Sequence, residues 1–224
     1  MDRRNLLGVG IVAVAGGAGW MFANRGGTSE PSNLLVGMAN AQEATADTSM
    51  ITEMVLGDPD APIEVIEYAS YTCPHCASFH ANQFPQIKAN YIETGKVKFI
   101  YREVYFDRFG LWASMIARCG GSTERFFGIS DLIYTKQREW TASGDPSVIV
   151  EELRKIGKMA GLDDATLDAC MQDADMAQSL VTWFEENAAR DSVRSTPSFI
   201  VDGEKTSNMS YADFSALLDD KLAG

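Results

Sequence analysis

Histidine, cysteine and basic residues are scarce in this chain of 224 residues, and their scarcity removes whole classes of function. There are two histidines, His75 and His80, and four cysteines, Cys73, Cys76, Cys119 and Cys170, which leaves few ways to assemble a metal site or a histidine-based triad. Basic residues are also few: 19 Lys and Arg stand against 31 Asp and Glu, a net charge of -12 that repels phosphate backbones and anionic lipid headgroups. No basic arm offsets that balance, so nucleic acid is excluded as a partner. Glycine-rich phosphate loops and internal repeats are missing from residues 108 to 190. What remains is an ordinary globular composition, 46% apolar and 22% charged.

The N-terminus has the layout of an export signal. Arg3 and Arg4 precede an uncharged run from Leu6 to Phe22, the next charge is Arg25, and Ala39-Asn40-Ala41 offers a small-residue cleavage point. The run contains five glycines and is shorter than the roughly 20 strongly apolar residues that a spanning helix wants. Stable membrane insertion of the mature domain is therefore not expected. The arginine pair followed by Asn5, Leu6 and Leu7 also resembles a twin-arginine signal. Residues 1–41 are read as signal and leader and the protein as periplasmic, retained at the membrane if that segment stays uncleaved. Loss of Arg3, Arg4, Arg25, Asp2 and Glu30 with it leaves 16 basic and 29 acidic residues, so the acidity belongs to the mature chain. Export places the thiols where disulfides persist.

Along the mature chain, Ile51 to Leu56 reads as a short strand and Ile63 to Ala69 as a strand buried on both faces. Cys73-Pro74 opens a helix, since proline is favoured at the first helical position. That helix is expected to reach about Asn90 or Thr94, with a bend at Pro85. Val97 to Arg102 follows as a strand. Residues 108–190 read as almost wholly helical, and Ser198 to Val201 is a strand closed by the hairpin signal Asp202-Gly203. Ser210 and Asp213 cap a last helix. The fold expected is α/β, divided into residues 42–107, an all-helical insertion over 108–190, and residues 191–224 completing the first layer.

Two cysteines three positions apart at a strand-to-helix junction put the first sulfur where free N–H groups and the helix dipole favour negative charge. Cys73 is thus read as an acidic, exposed nucleophile, helped by a cationic His75, and Cys76 as the more buried resolving thiol. A stabilised thiolate favours the reduced protein, which makes the disulfide oxidising. Zinc is the weaker reading, because Cys73, His75, Cys76 and His80 lie on one helix turn and its continuation and cannot readily surround one ion. A purely structural short-range disulfide would remove little unfolded-state entropy. Cys119 and Cys170 are an even leftover pair on two helices, read as a structural disulfide, with two buried thiols and a second redox couple as alternatives.

Glu67 to Cys76 (Glu-Tyr-Ala-Ser-Tyr-Thr-Cys-Pro-His-Cys) and Val193 to Gly203 (Val-Arg-Ser-Thr-Pro-Ser-Phe-Ile-Val-Asp-Gly) together resemble the DsbA-like thiol:disulfide oxidoreductases of the thioredoxin superfamily. The resemblance covers about residues 52 to 223 and implies a thioredoxin fold with an inserted all-helical subdomain. It makes Pro197 a cis-proline facing the sulfurs and gives Thr196 backbone hydrogen bonds to a substrate peptide. It also makes Glu67 a buried acid that moves protons to and from Cys76. Tyr71 and Thr72 are placed beside Cys73 in the substrate groove, and His80 is taken as a plain residue of the active-site helix. The implied activity is donation of the Cys73–Cys76 disulfide to exported unfolded proteins bearing free thiols, with no bound cofactor and a quinone-linked membrane protein as reoxidant. The rival readings are a disulfide reductase or isomerase on the same fold, and a non-catalytic peptide-binding chaperone.

Overall fold

The computed structural model describes residues 46–224; the export-signal reading of residues 1–41 lies outside them. Its centre is β2 (Ile63–Ala69), a seven-residue strand in which only Glu64 is not buried. β2 runs parallel to β3 (Val97–Glu103) on one side and antiparallel to β4 (Ser198–Val201) on the other. The short β1 (Met54–Leu56) edges β3, and β5 (Glu204–Ser207) edges β4, in the order β1-β3-β2-β4-β5. The β4–β5 turn uses Asp202 and Gly203, both at positive φ (47° and 79°), as a two-residue hairpin of this twist requires. The Asp202 carboxylate also accepts the Glu64 N–H at 2.9 Å, pinning the turn to the central strand.

Side chains alternate across β2 and sort the core into two sides. Val65 and Ala69 join one large cluster with Phe79, Phe99, Phe126, Phe199 and Phe214, while Ile66 and Tyr68 pack with Ile100 and Ile200 on the opposite face. The first face is covered by α1 (Pro74–Asn82), by α4 (Thr123–Thr135) and by the C-terminal α9 (Tyr211–Ala223). The second is covered by α8 (Ala174–Arg190), whose Phe184 joins that cluster. Tyr68 there donates to the Asn187 carbonyl and to the Asp191 carboxylate.

The active-site helix is shorter than the periodicity suggests. α1 stops at Asn82, α2 (Phe84–Ile87) restarts around Pro85, and Lys88–Ile92 forms a π-type turn. Pro85 has no N–H to give the preceding turn, which accounts for the interruption. The first strand is also trimmed to Met54–Leu56, because the preceding residues serve arginines: Glu53 accepts from Arg102 and the Thr52 carbonyl from Arg118.

The helical stretch comprises α3 (Arg108–Arg118), α4, α5 (Gln137–Trp140), α6 (Pro146–Met159), α7 (Asp164–Met171) and α8. Each of these with eight or more residues opens on an Asp or Ser side chain that accepts first-turn N–H groups: Asp107, Ser122, Asp145, Asp163 and Asp173. The sheet holds α3 through Arg118, whose guanidinium grips the buried Glu103 of β3 with two bonds of 2.6 and 2.7 Å. Cys119, the α3 cap, is bonded to Cys170 of α7 across 51 positions, with Cα atoms 5.8 Å apart. No helix among the described residues is long and apolar enough to cross a membrane.

Candidate active site

β2 delivers the chain into a tight turn at Ser70, whose carbonyl accepts the Cys73 N–H at 3.1 Å. Cys73 is the N-cap of α1 and keeps extended backbone angles, and Pro74 follows as the first helical residue, where a missing N–H costs nothing. One turn further on, Cys76 points into the core. Both sulfurs are free thiols, Cys73 half-buried and Cys76 fully buried.

Their surroundings drive the two thiols apart. A hydrogen bond from Cys76, joined by the backbone N–H groups of Cys76 and His75, outweighs burial and brings Cys73 down to about 5. Burial first, then the bond to Cys73 and the negative charge of Glu67, push Cys76 far above the ordinary thiol range. His75 acts on Cys73 through its main chain, and its imidazole is exposed, so the expected push from a cationic ring gives way to a backbone donor.

The Thr196–Pro197 bond is cis. It brings the Thr196 carbonyl to 3.4 Å from Cys73 Sγ, where the protonated thiol donates to it. Two segments 123 positions apart therefore meet at Cys73 Sγ. Between them, Gln137 of α5 reaches across with its amide nitrogen and donates to the carbonyls of Tyr71 (2.7 Å) and Cys73 (2.9 Å). The helical stretch thus clamps the loop that carries Cys73.

Thr72 stays half-buried beside Cys73, its hydroxyl held at 2.7 Å by Asp107, the N-cap of α3. Tyr71 does not line a groove. It is fully buried, donates or accepts at 2.6 Å with Ser130 of α4, and packs against the rings of Tyr101 and Tyr134. The reason is the strand alternation: Val65, Glu67, Ala69 and Tyr71 share the inward side, and the turn does not reverse it.

Glu67 sits on that same side, wholly buried near Cys76. One of its carboxylate oxygens, Oε2, is 2.9 Å from His80 Nε2, and the other, Oε1, has no partner. His80 is therefore more than a plain helix residue, because it is the one protein partner of this buried acid among the described residues. Four positions beyond Cys76, it falls on the inward face of α1, a spacing that was legible in advance. Gln137 and Asp107 carried no comparable local signal, since their roles depend on where α5 and the α3 start are brought in space.

A family model described as Thioredoxin matches residues 49–220. A Rickettsia bellii protein under the provisional name protein-disulfide oxidoreductase is 35% identical over 167 residues, covering 75% of this chain and 63% of its own length. Disulfide bond formation protein D of Bacillus subtilis is 25% identical over 182 residues, 76% of this chain and 77% of that protein. The crystal structure of Wolbachia pipientis alpha-DsbA1 superposes with a TM-score of 0.72 at 27% identity, covering 80% of this chain and 96% of that one. The oxidised BdbD of Bacillus subtilis shares the fold with a TM-score of 0.68 at 24% identity, over 77% and 94% of the two chains. The chain thus spans less than two thirds of the length of the Rickettsia bellii relative.

Proposed function

The chain belongs to the thioredoxin superfamily, with the DsbA-like disulfide oxidoreductases, and on that premise we propose that it is a periplasmic dithiol oxidase working through Cys73 and Cys76. The observation that carries this reading is the opposed behaviour of the two thiols, an accessible sulfur brought down to about 5 beside a buried one pushed far up. A disulfide built from such a pair gains a stable thiolate when reduced and so readily gives up its bond.

In the oxidised protein, a substrate thiolate attacks Cys73 Sγ, the Cys73–Cys76 bond breaks, and Cys76 leaves with the electron pair and takes up one proton. A second substrate thiolate then attacks the substrate sulfur of the mixed disulfide, and Cys73 departs as the thiolate. The substrate has lost two electrons and the protein has gained them, so no bound cofactor is needed. Glu67 serves the proton that Cys76 takes up and later loses. The cis Thr196–Pro197 corner lies against the attacked sulfur, where an extended substrate chain can pair with its backbone.

Substrates are exported unfolded proteins with free thiols, and a quinone-linked membrane protein restores the disulfide. Arg3, Arg4 and the Leu6–Phe22 run support export, as does a Cys119–Cys170 bond of the kind that persists in oxidising compartments. The test is the reduction potential of the Cys73–Cys76 couple with oxidation of a reduced unfolded protein. A potential near roughly -120 mV, the value of DsbA, is expected, and one near about -270 mV would make the protein a reductase instead. Cys73→Ser should abolish oxidation; a variant that still oxidised the substrate would overturn the Cys73 mechanism.

A further inference from the structure

The mechanism uses Glu67 but leaves its partner His80 without a role, and His80 also lines a groove that the mechanism does not explain. A groove of about 640 Å³ opens beside the sheet, and its lining includes His80, Phe84, Lys88, Glu124, Gly128 and Asp131. It lies where α2 and α4 flank His80, and neither Cys73 nor the Thr196–Pro197 corner is among its lining residues. His80 is thus held by Glu67, 2.9 Å from Nε2, and is at the same time one of the residues that line the groove.

We propose that Glu67 and His80 form a proton relay that connects the buried Cys76 to solvent in this groove, apart from the mouth where substrate binds. The proposal rests on the dithiol reading above. Cys76 is sealed from solvent and changes protonation in every cycle, so its proton needs a route. Glu67 is the carboxylate whose negative charge acts on Cys76, and its Oε1 is buried with no protein partner, open to a bridging water on the way to the sulfur. A buried carboxylate oxygen without a partner is costly and calls for a reason.

Other groups around His80 cannot substitute. Tyr134 of α4 stacks on the imidazole at 4.3 Å and Tyr101 of β3 meets its edge at 5.8 Å, and burial pushes both phenols well above their ordinary range, so neither ionises. Phe79 of α1 and Phe84 of α2 supply apolar ring faces. The charged groups are Glu67 inside and Lys88, Glu124 and Asp131 at the groove. When the disulfide is reduced, Cys76 leaves as a thiolate and takes a proton from the pair, which is recharged at His80 from the groove. When the disulfide reforms, the proton runs the other way.

The second half of that cycle can be watched directly. Reduced protein attacks oxidised glutathione through Cys73 to give a mixed disulfide and one glutathione thiolate. Cys76 then loses its proton and attacks Cys73 Sγ, and the second glutathione leaves as thiolate. In His80→Gln, which keeps a donor toward Glu67 but cannot take up and pass on a proton, this closing step at pH 7 should slow by about a hundredfold, the lower end of what a positioned base supplies, with a changed pH profile. The Cys73 thiolate should still titrate near 5, which separates lost proton transfer from a disturbed fold. In His80→Ala, imidazole should restore the closing rate and pyrrole, a ring of like size without the basic nitrogen, should not. Gly128→Phe, at a groove position where a Cβ meets open space, leaves the pair intact and should slow closing severalfold. A wild-type rate and pH profile in His80→Gln, equal rescue by pyrrole, or an unaffected Gly128→Phe would each overturn the relay. If Cys73→Ser is inactive while His80→Gln closes normally, the relay falls and the oxidase reading stands; an active Cys73→Ser removes the oxidase reading itself.

Discussion

Cys73 and Cys76 stand three positions apart at a helix start, whereas Cys119 and Cys170 stand 51 positions apart and tie α3 to α7. On the loop-entropy model the long link stabilises the folded chain by about 4 kcal/mol and the short one by about 2. The short pair spends its position differently. The bond between its two sulfurs, the unequal burial of the two, the Thr196 side chain, nearby backbone N–H groups and a buried acid separate their proton affinities. The long pair has no such surroundings: Cys119 caps α3 and Cys170 lies within α7, and their bond ties these two helices together. Four like residues thus divide into two roles by what surrounds them and by the loop each pair closes.

That division can be broken from either side. Replacing Cys119 and Cys170 with alanine should lower unfolding stability by about 4 kcal/mol in urea titrations while leaving the potential of Cys73–Cys76 unchanged. A shifted potential would show that the two pairs communicate. Gln137→Ala should cost less, about 1–3 kcal/mol, because it leaves the carbonyls of Tyr71 and Cys73 without their amide donor. Its distinctive sign is a slower mixed-disulfide step at normal substrate affinity, since the loop bearing the nucleophile loosens.

The smallest effect is the pH dependence of the reduced protein. Cys73 is held near 5 in the fold against an ordinary thiol value of 9.0, so its contribution is fully present above about pH 9 and is lost as the pH falls through 5. Between pH 8 and 5 the reduced protein should lose about 1 kcal/mol from this source after solvent screening at a half-exposed sulfur. Urea midpoints of the reduced protein and of Cys73→Ser, compared across that range, give the difference directly. A loss of the same size in both proteins would remove Cys73 as its cause.

Much of the fold was legible because its signals are local. The run Ile63–Ala69, the Pro74 helix start and the Asp202–Gly203 hairpin each declare an element within a few residues, and the structure places β2, α1 and the β4–β5 turn there. Pro85 marked a bend, and it proved a full break because a missing N–H and two successive short turns fall together. The run 108–190 was legible as helix but not as two coverings. α4 lies on the face of Val65 and Glu67, and α8 on the face of Tyr68, which depends on how the chain passes around the sheet edge.

In the site, spacing and residue type were enough to single out Cys73 and Cys76, since a thiol at a helix start meets free N–H groups wherever that helix lies in the fold. Tyr71 was misplaced because a turn residue reads as exposed until the strand alternation is followed past Ala69 into the core. The joining of Glu67 to His80, of Gln137 to the Cys73 carbonyl and of Thr196 to Cys73 Sγ spans 13, 64 and 123 positions. The sequence by itself therefore determined which atoms react, through chemistry that acts within one turn of helix. Tertiary structure alone decided which groups hold those atoms, because burial and hydrogen bonding between distant segments exist only once the chain has closed around them.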